Sequence, residues 1–134
     1  METIGNINKD ITTDPNHIRV NHKGVFLGVG VSEALGLSDG QYIEFARDRS
    51  RYLYLKKGNP NYGYRLKKVG KRLYTNNAHL AREIAAMVYK TMRNDFEPFV
   101  LLTTQPEPDA EGNISVEVFT SKIFRTRMYY EKTK

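Results

Sequence analysis

The chain has 134 residues, of which 40% are hydrophobic and 27% charged, a composition typical of a single folded domain. It contains no cysteine, which excludes disulfides, thiolate metal sites and cysteine nucleophiles and favours a cytoplasmic protein. It also contains no run of about 18 apolar residues, so the sequence predicts no membrane-spanning segment and no membrane partner.

The formal net charge of +6 is unevenly distributed along the chain. Residues 47–72 contain ten lysines and arginines against one acid, Asp48, whereas residues 73–119 contain three cations against seven acids. Such segregation predicts a molecule with one cationic face and one acidic face. A cationic face attracts polyanions, which makes nucleic acid the first candidate partner.

The first half of the chain is predicted to form a flexible arm and a strand–strand–helix–strand–strand unit. Residues 1–16 mix Gly, Asn, Thr and Asp and end in "TDPN", a composition typical of a loosely docked arm. In residues 17–58, alternating apolar positions indicate strands, and "VSEALGL" indicates a helix with Gly36 as its left-handed stop. The predicted elements are strands over 18–20 and 25–29, a helix over 31–37, and a hairpin of strands over 42–46 and 51–57.

The second half, residues 62–120, repeats that order after the turn cluster "GNPNYG". Two short strands about Gly70 precede a longer helix, for which Asn76 or Asn77 is the predicted N-cap. The buried stripe of that helix is predicted to consist of Leu80, Ile84, Met87 and Val88. The segments "PFVLLTT" and "NISVEVF" are then expected to pair as strands across an acidic loop.

These elements predict an α+β fold, in which one short and one longer helix accompany a small mixed or antiparallel β-sheet or barrel-like core. Residues 17–120 are expected to form one compact domain of two pseudo-repeated units, 17–58 and 62–120, because units under about 60 residues are marginal alone. Residues 121–134 are predicted to form a basic C-terminal tail, with an added strand as the alternative.

The stretch "HKGVFLGVGVSEALGLSDGQYIEFARDRSRYLYLKK" resembles the swapped-hairpin module of the AbrB, SpoVT and MazE type. The helix end and polar turn in "ALGLSDGQYIEF" and the lysine-ended strand "YLYLKK" carry the resemblance, which covers about residues 18–57. It implies two interlocked units, which a degenerate copy in the second half would supply within one chain. Members that bind DNA supply arginines from the first hairpin and the helix start. Here Arg19 and Lys23 match, the helix start reads "VSE", and Gly28 and Gly30 stand where the family usually has a proline.

No residue pattern predicts catalysis, a metal site or a cofactor. The three histidines, His17, His22 and His79, lack a second ligand at helical spacing and are expected to be exposed or capping residues. The acidic loop "EPDAEG" lacks the twelve-residue calcium-binding pattern and is expected to be solvated. We therefore expect a protein without enzymatic activity.

The basic segment 47–72 is interleaved with tyrosines, which indicates a surface that combines phosphate contacts with stacking on aromatic rings. We expect a small regulatory protein that binds nucleic acid, DNA in particular. The predicted contact residues are Arg47, Arg49, Arg51, Lys56, Lys57, Arg65, Lys67, Lys68, Lys71, Arg72, Tyr52 and Tyr54. Alternatively, the two tyrosines pack under a neighbouring element and the lysines only solvate a strand. The alternative function is a protein-interaction or oligomerisation module, such as an antitoxin-like or phage-like accessory protein, with no nucleic-acid role.

Overall fold

The computed structural model describes residues 16–50, 52–90, 96–108, 112–121 and 123–125. Most of the predicted arm and tail, as well as Arg51, Asp109 and Glu111, lie outside the described residues. The strands within the described ranges are β1 (His17–Asn21), β2 (Gly24–Leu27), β3 (Tyr42–Arg47), β4 (Leu53–Lys57), β5 (Tyr64–Arg65), β6 (Lys67–Val69), β7 (Arg72–Thr75), β8 (Phe99–Leu102), β9 (Glu107–Pro108), β10 (Ile114–Val118) and β11 (Phe124–Arg125). The helices are α1 (Val29–Ala34) and α2 (Ala78–Tyr89).

The strands build two antiparallel sheets. The six-stranded sheet has the order β11-β8-β1-β2-β7-β6, and the five-stranded sheet has the order β5-β3-β4-β10-β9. The two helices differ in length, since α1 has six residues and α2 has twelve. The predicted α+β fold with antiparallel sheets, one short helix and one longer helix is therefore confirmed.

One hydrophobic cluster joins both sheets and both helices. Its fully buried members include Ile18 and Leu27 of the six-stranded sheet and Ile43 and Leu55 of the five-stranded sheet. Side chains alternate across a strand, so burial at every second position leaves the intervening positions on an outer face. The outer face of the six-stranded sheet is not exposed throughout, because His17 of β1 and Val100 of β8 point to it and are only 2% and 1% exposed.

The short helix α1 begins earlier than predicted. It starts at Val29, has Gly28 as its N-cap residue, and buries Val31 in the core. Gly36 has a φ of +64°, a conformation that glycine adopts without a steric penalty, so the predicted left-handed stop is confirmed. With one fully buried side chain, α1 serves mainly to turn the chain from β2 into β3.

The longer helix α2 follows the prediction closely. Asn77 is its N-cap, and its side-chain oxygen accepts a hydrogen bond from the backbone N of Leu80 at 2.9 Å. Leu80 and Ile84 are buried, whereas Met87 and Val88 are partly buried and pack against the core. Among the described residues, no helix has the length and apolar character required to cross a membrane.

β2 pairs with β7, which joins the first hairpin, β1–β2, to the second, β6–β7. The two backbones approach so closely at Gly24 that a Cβ there would overlap the carbonyl oxygen of Thr75. Glycine is therefore required at this position for space. The close approach makes one continuous sheet from hairpins of the two halves of the chain.

The second half does not repeat the strand pairing of the first. β3 and β4 form the predicted hairpin, whereas β8 pairs with β1 and β11, and β10 pairs with β4 and β9. The expected pairing of "PFVLLTT" with "NISVEVF" is reduced to a bridge between Thr103 and Val118. The backbone N–H and C=O groups along the second edge of β1 and of β4 need hydrogen-bond partners. β8 supplies these partners to β1, and β10 supplies them to β4. The prediction of two equivalent β-β-α-β-β units is thus not confirmed.

The chain crosses between the two sheets at Leu66. The preceding residues form β5 beside β3, the following residues form β6 beside β7, and Leu66 itself is buried. The backbone N of Leu66 donates to the oxygen of Gln41 at 2.7 Å, and the N of Gly40 donates to the oxygen of Leu66 at 2.9 Å. These hydrogen bonds fix the position at which β6 enters the six-stranded sheet.

The segment predicted as a basic tail contributes a strand to the fold. Within residues 121–134, β11 pairs with β8 and forms one edge of the six-stranded sheet. This corresponds to the alternative of an added strand. The opposite edge of that sheet is β6.

Candidate nucleic-acid interface

The outer face of the six-stranded sheet carries a row of cross-strand partners that reaches from one edge strand to the other. Directly opposed residues of antiparallel strands share a face of the sheet, so the strand registers define which side chains are neighbours. From β11 to β6, the row consists of Phe124, Val100, Arg19, Phe26, Tyr74 and Lys67. We refer to Arg19, Phe26, Tyr74 and Lys67 as the aromatic–cation row.

Contacts within the aromatic–cation row arrange its side chains as a stack. The guanidinium carbon of Arg19 lies 4.8 Å from the centroid of the Phe26 ring, the separation of a cation–π interaction. The ring centroids of Phe26 and Tyr74 are 4.2 Å apart, with an angle of 27° between the ring planes. Arg19 and Tyr74 belong to the strands on either side of β2, so the Phe26 ring is packed from both sides.

The aromatic–cation row is closed toward β8 and open toward β6. Val100, the next partner beyond Arg19, is only 1% exposed, whereas Lys67 at the other end is exposed. Tyr74 is half-buried, and this loss of solvent raises the pKa of its hydroxyl group. The same hydroxyl donates a hydrogen bond to Oδ1 of Asn76 at 3.1 Å, which holds the ring in place. The accessible end of the stack is therefore the side of Tyr74 that faces β6.

Two of the predicted contact residues lie on this face beside Tyr74. Lys67 is the cross-strand partner of Tyr74, and Arg72 precedes Tyr74 by two residues on β7, so its side chain points to the same face. Within the described ranges, neither Lys67 nor Arg72 forms a salt bridge. No aspartate or glutamate occurs among the described strand residues whose side chains point to this face. Lys67 and Arg72 are therefore two cations on this face without a neighbouring carboxylate on its strands.

The outer face of the five-stranded sheet has a mixed charge. One cross-strand row there consists of Glu44, Lys56, Ser115 and Glu107, and the next row consists of Ala46, Tyr54 and Glu117. The Nζ atom of Lys56 lies 3.9 Å from Oε1 of Glu44, so this predicted phosphate contact is paired with a carboxylate. The three glutamates would repel a polyanion that approached this face.

A cleft of about 430 Å³ lies at these rows, and carboxylates outnumber cations in its lining. The charged side chains that line it are Arg47, Lys56, Asp48, Glu107 and Glu117. Tyr54 also lines the cleft, and the pKa of its hydroxyl is raised by loss of solvent and then by the charge of Asp48. The carboxylates of Asp48, Glu107 and Glu117 would repel a phosphate in this cleft. Arg47, Lys56 and Tyr54 are therefore poorly placed for the predicted contacts.

Lys68 and Lys71 lie at a separate cleft of about 460 Å³ beside α1. Its lining also contains Glu33 and Asp39, so the numbers of lysines and acids are equal. The backbone N of Lys68 donates to Oδ1 of Asp39 at 2.8 Å, which keeps that carboxylate beside β6. The charge of this cleft is consequently balanced.

The remaining predicted contacts that the structure describes surround the five-stranded sheet. They are Arg49 and Tyr52 at the connection between β3 and β4, Lys57 at the end of β4, and Arg65 on the edge strand β5. Tyr52 is 56% exposed, so it does not pack under a neighbouring element. The structure thus separates the eleven predicted residues that it describes into several places, and it brings Lys67 and Arg72 together with the stacked rings.

Three members of the aromatic–cation row, Arg19, Phe26 and Tyr74, were not among the predicted contacts, although the resemblance points to Arg19. Alternation in "HIRVN" and "GVFL" indicates that Arg19 and Phe26 point away from the core, but a single ring pointing outward is not informative by itself. Their proximity to Tyr74 depends on the pairing of β2 with β7, which brings distant parts of the chain together. A sequence pattern contains no information about that register.

The histidines do not form a site. His17 is 2% exposed in a central strand of the six-stranded sheet, so the prediction of an exposed or capping residue is wrong for it. The His22 ring lies 4.9 Å from that of Phe96, and Nε2 of His79 lies 2.8 Å from Oε1 of Glu83. No group of three or more potential metal ligands occurs in the part of the chain that the structure describes.

Comparison of the chain with protein-family models, with curated proteins and with solved structures finds no match in any of the three. The resemblance to the AbrB, SpoVT and MazE type therefore stays a prediction, although the elements of residues 18–57 occur in the order that it implies. Inference about function depends on the surfaces of the chain itself.

Proposed function

We propose that this protein is a small, non-enzymatic nucleic-acid-binding protein with a regulatory role. The binding surface is the outer face of the six-stranded sheet, where Lys67 and Arg72 contact phosphates, Tyr74 contacts bases or sugars, and Phe26 and Arg19 support the Tyr74 ring. The observation that supports this proposal is the aromatic–cation row, with its 4.2 Å ring stack and its 4.8 Å cation–π contact.

The charge of this face supports a polyanionic ligand. Cations without neighbouring carboxylates attract phosphates and release condensed counterions when they neutralise them. The outer face of the five-stranded sheet lacks this property, because Lys56 is paired with Glu44 and further glutamates lie in the same rows.

A salt titration with matched charge reversals tests the proposal. Labelled DNA and RNA oligonucleotides are titrated with the full chain between about 50 and about 200 mM salt, and the affinity of the unsubstituted chain is expected to fall steeply. The double substitution Lys67→Glu and Arg72→Glu should weaken binding by about tenfold or more and reduce the salt slope by about 1.5, since two phosphate contacts are lost.

The control double substitution is Arg49→Glu with Lys57→Glu, which changes the net charge equally on exposed residues around the five-stranded sheet. We expect it to retain the affinity within about threefold, since only long-range attraction is reduced. Equal losses in the two double variants would exclude the proposed surface. No binding at about 50 mM salt, together with a defined oligomer in light scattering, would instead support the protein-interaction alternative.

A further inference from the structure

We infer that the ligand of the aromatic–cation row is a single-stranded nucleic acid, with an unpaired base stacked on Tyr74. This inference rests on the proposed function and specifies the substrate class of the same surface. It depends on two features of the face, namely the accessible side of the ring stack and the position of the cations beside Tyr74.

The ring stack offers one side on which a further ring can be added. Phe26 is enclosed by Arg19 and Tyr74, whereas beyond Tyr74 the next side chain in the row is the exposed Lys67. A base that occupies the space above Lys67 would extend the stack by one ring. Bases in a duplex have both faces covered by their neighbours, so only an unpaired base can take this position.

The cations are placed to hold the phosphates of such a strand. Lys67 is exposed and is the cross-strand partner of Tyr74. Arg72 lies beside Tyr74 on the same face. A single strand that stacks a base on Tyr74 can therefore bring its neighbouring phosphates to these two cations.

The test compares single-stranded and duplex oligonucleotides of the same sequence, each about 12 nucleotides long, by fluorescence anisotropy with the full chain at one salt concentration. We expect the single strand to bind at least about tenfold more tightly than the duplex. Tyr74→Leu should weaken single-strand binding about tenfold and change duplex binding less than about twofold, because leucine retains volume but cannot stack. Tyr74→Phe, which keeps the ring, should retain single-strand binding within about twofold.

Two further variants complete the test. Tyr62→Leu removes a ring that is 69% exposed and outside the row, and single-strand affinity should stay within about twofold. If circular dichroism shows that Tyr74→Leu does not fold, Phe26→Leu takes its place in the test. It removes the ring that supports Tyr74, and it should reduce single-strand affinity. Duplex binding equal to or tighter than single-strand binding, or no effect of both ring removals, would overturn the inference and leave the proposed function intact. Absence of binding to either oligonucleotide would overturn both.

Discussion

Single residues fix the ends of the elements in this chain, as Asn77 does at the start of α2. Its Oδ1 accepts a hydrogen bond from the backbone N of Leu80 at 2.9 Å, which satisfies one of the unpaired donors at the start of α2. We expect Asn77→Ala to lower the free energy of unfolding by about 1 kcal/mol, measured by urea denaturation. The control Asn76→Ala removes only an exposed bond from the Tyr74 hydroxyl, and it should cost less than about 0.5 kcal/mol. Equal costs for the two variants would show that Asn77 is not the cap.

The hydroxyl group of Tyr64 makes the stability of the fold depend on pH in the alkaline range. Loss of solvent, followed by the negative charge of Glu83, raises the pKa of its hydroxyl above the ordinary value of about 10. Because the unfolded chain releases this proton at lower pH than the folded chain, the stabilisation is complete below about pH 10 and is lost as the pH rises through the folded pKa.

The chain should therefore lose stability as the pH rises above about 10, and Tyr64→Phe should reduce that loss. Urea denaturation at several pH values measures the difference. The control is Tyr62→Phe, at a residue that is 69% exposed, and it should keep the slope of the unsubstituted chain. A slope in Tyr64→Phe that matches the unsubstituted chain would contradict the assigned burial of this phenol.

At the scale of elements, the pairing of β2 with β7 decides where the candidate site lies. It joins two hairpins into one sheet and brings Phe26 beside Tyr74. Gly24→Ala should destabilise the fold by about 1–3 kcal/mol, because its Cβ would overlap the Thr75 carbonyl oxygen. Gly36→Ala is the control, since a Cβ there has no atom within 4 Å and the cost should be only about 1 kcal/mol for the left-handed φ. If thermal and urea denaturation gave Gly24→Ala the smaller cost, the close approach of β2 and β7 would be contradicted.

Helices and strands with a local sequence pattern could be predicted, whereas the strands with which they pair could not. The stripe of Leu80 and Ile84 and the capping asparagine predict α2, and the alternation of Leu53 and Leu55 predicts β4. The separation of β8 from β10 could not be predicted, because each strand satisfies the edge of a strand distant in sequence, and alternation contains no information about the edge chosen.

The same distinction applies to the candidate site. Lys67 and Arg72 belong to the basic segment and were predicted as contacts, whereas Phe26 gives no local sign of its role. Lys56 was predicted as a contact from the same segment, yet the register of β3 and β4 brings it within 3.9 Å of Glu44. Charge along the sequence therefore predicts the class of ligand, while strand register decides which cations are available to it.

At the scale of the whole molecule, the two sheets separate two kinds of surface. The outer face of the six-stranded sheet combines stacked rings with cations, and its described strand residues include no carboxylate. The outer face of the five-stranded sheet combines lysine, tyrosine and three glutamates. Folding thus converts part of the charge difference between two segments of the chain into a charge difference between the outer faces of the two sheets.

The most direct measurement is an NMR titration of the ¹⁵N-labelled chain with a single-stranded oligonucleotide at low salt. We expect the largest changes in amide shift at Phe26, Tyr74, Lys67 and Arg72, while the amides of Lys56 and Glu117 on the five-stranded sheet change little. Shifts concentrated on the five-stranded sheet, with the amides of Phe26 and Tyr74 unchanged, would contradict the proposed binding surface.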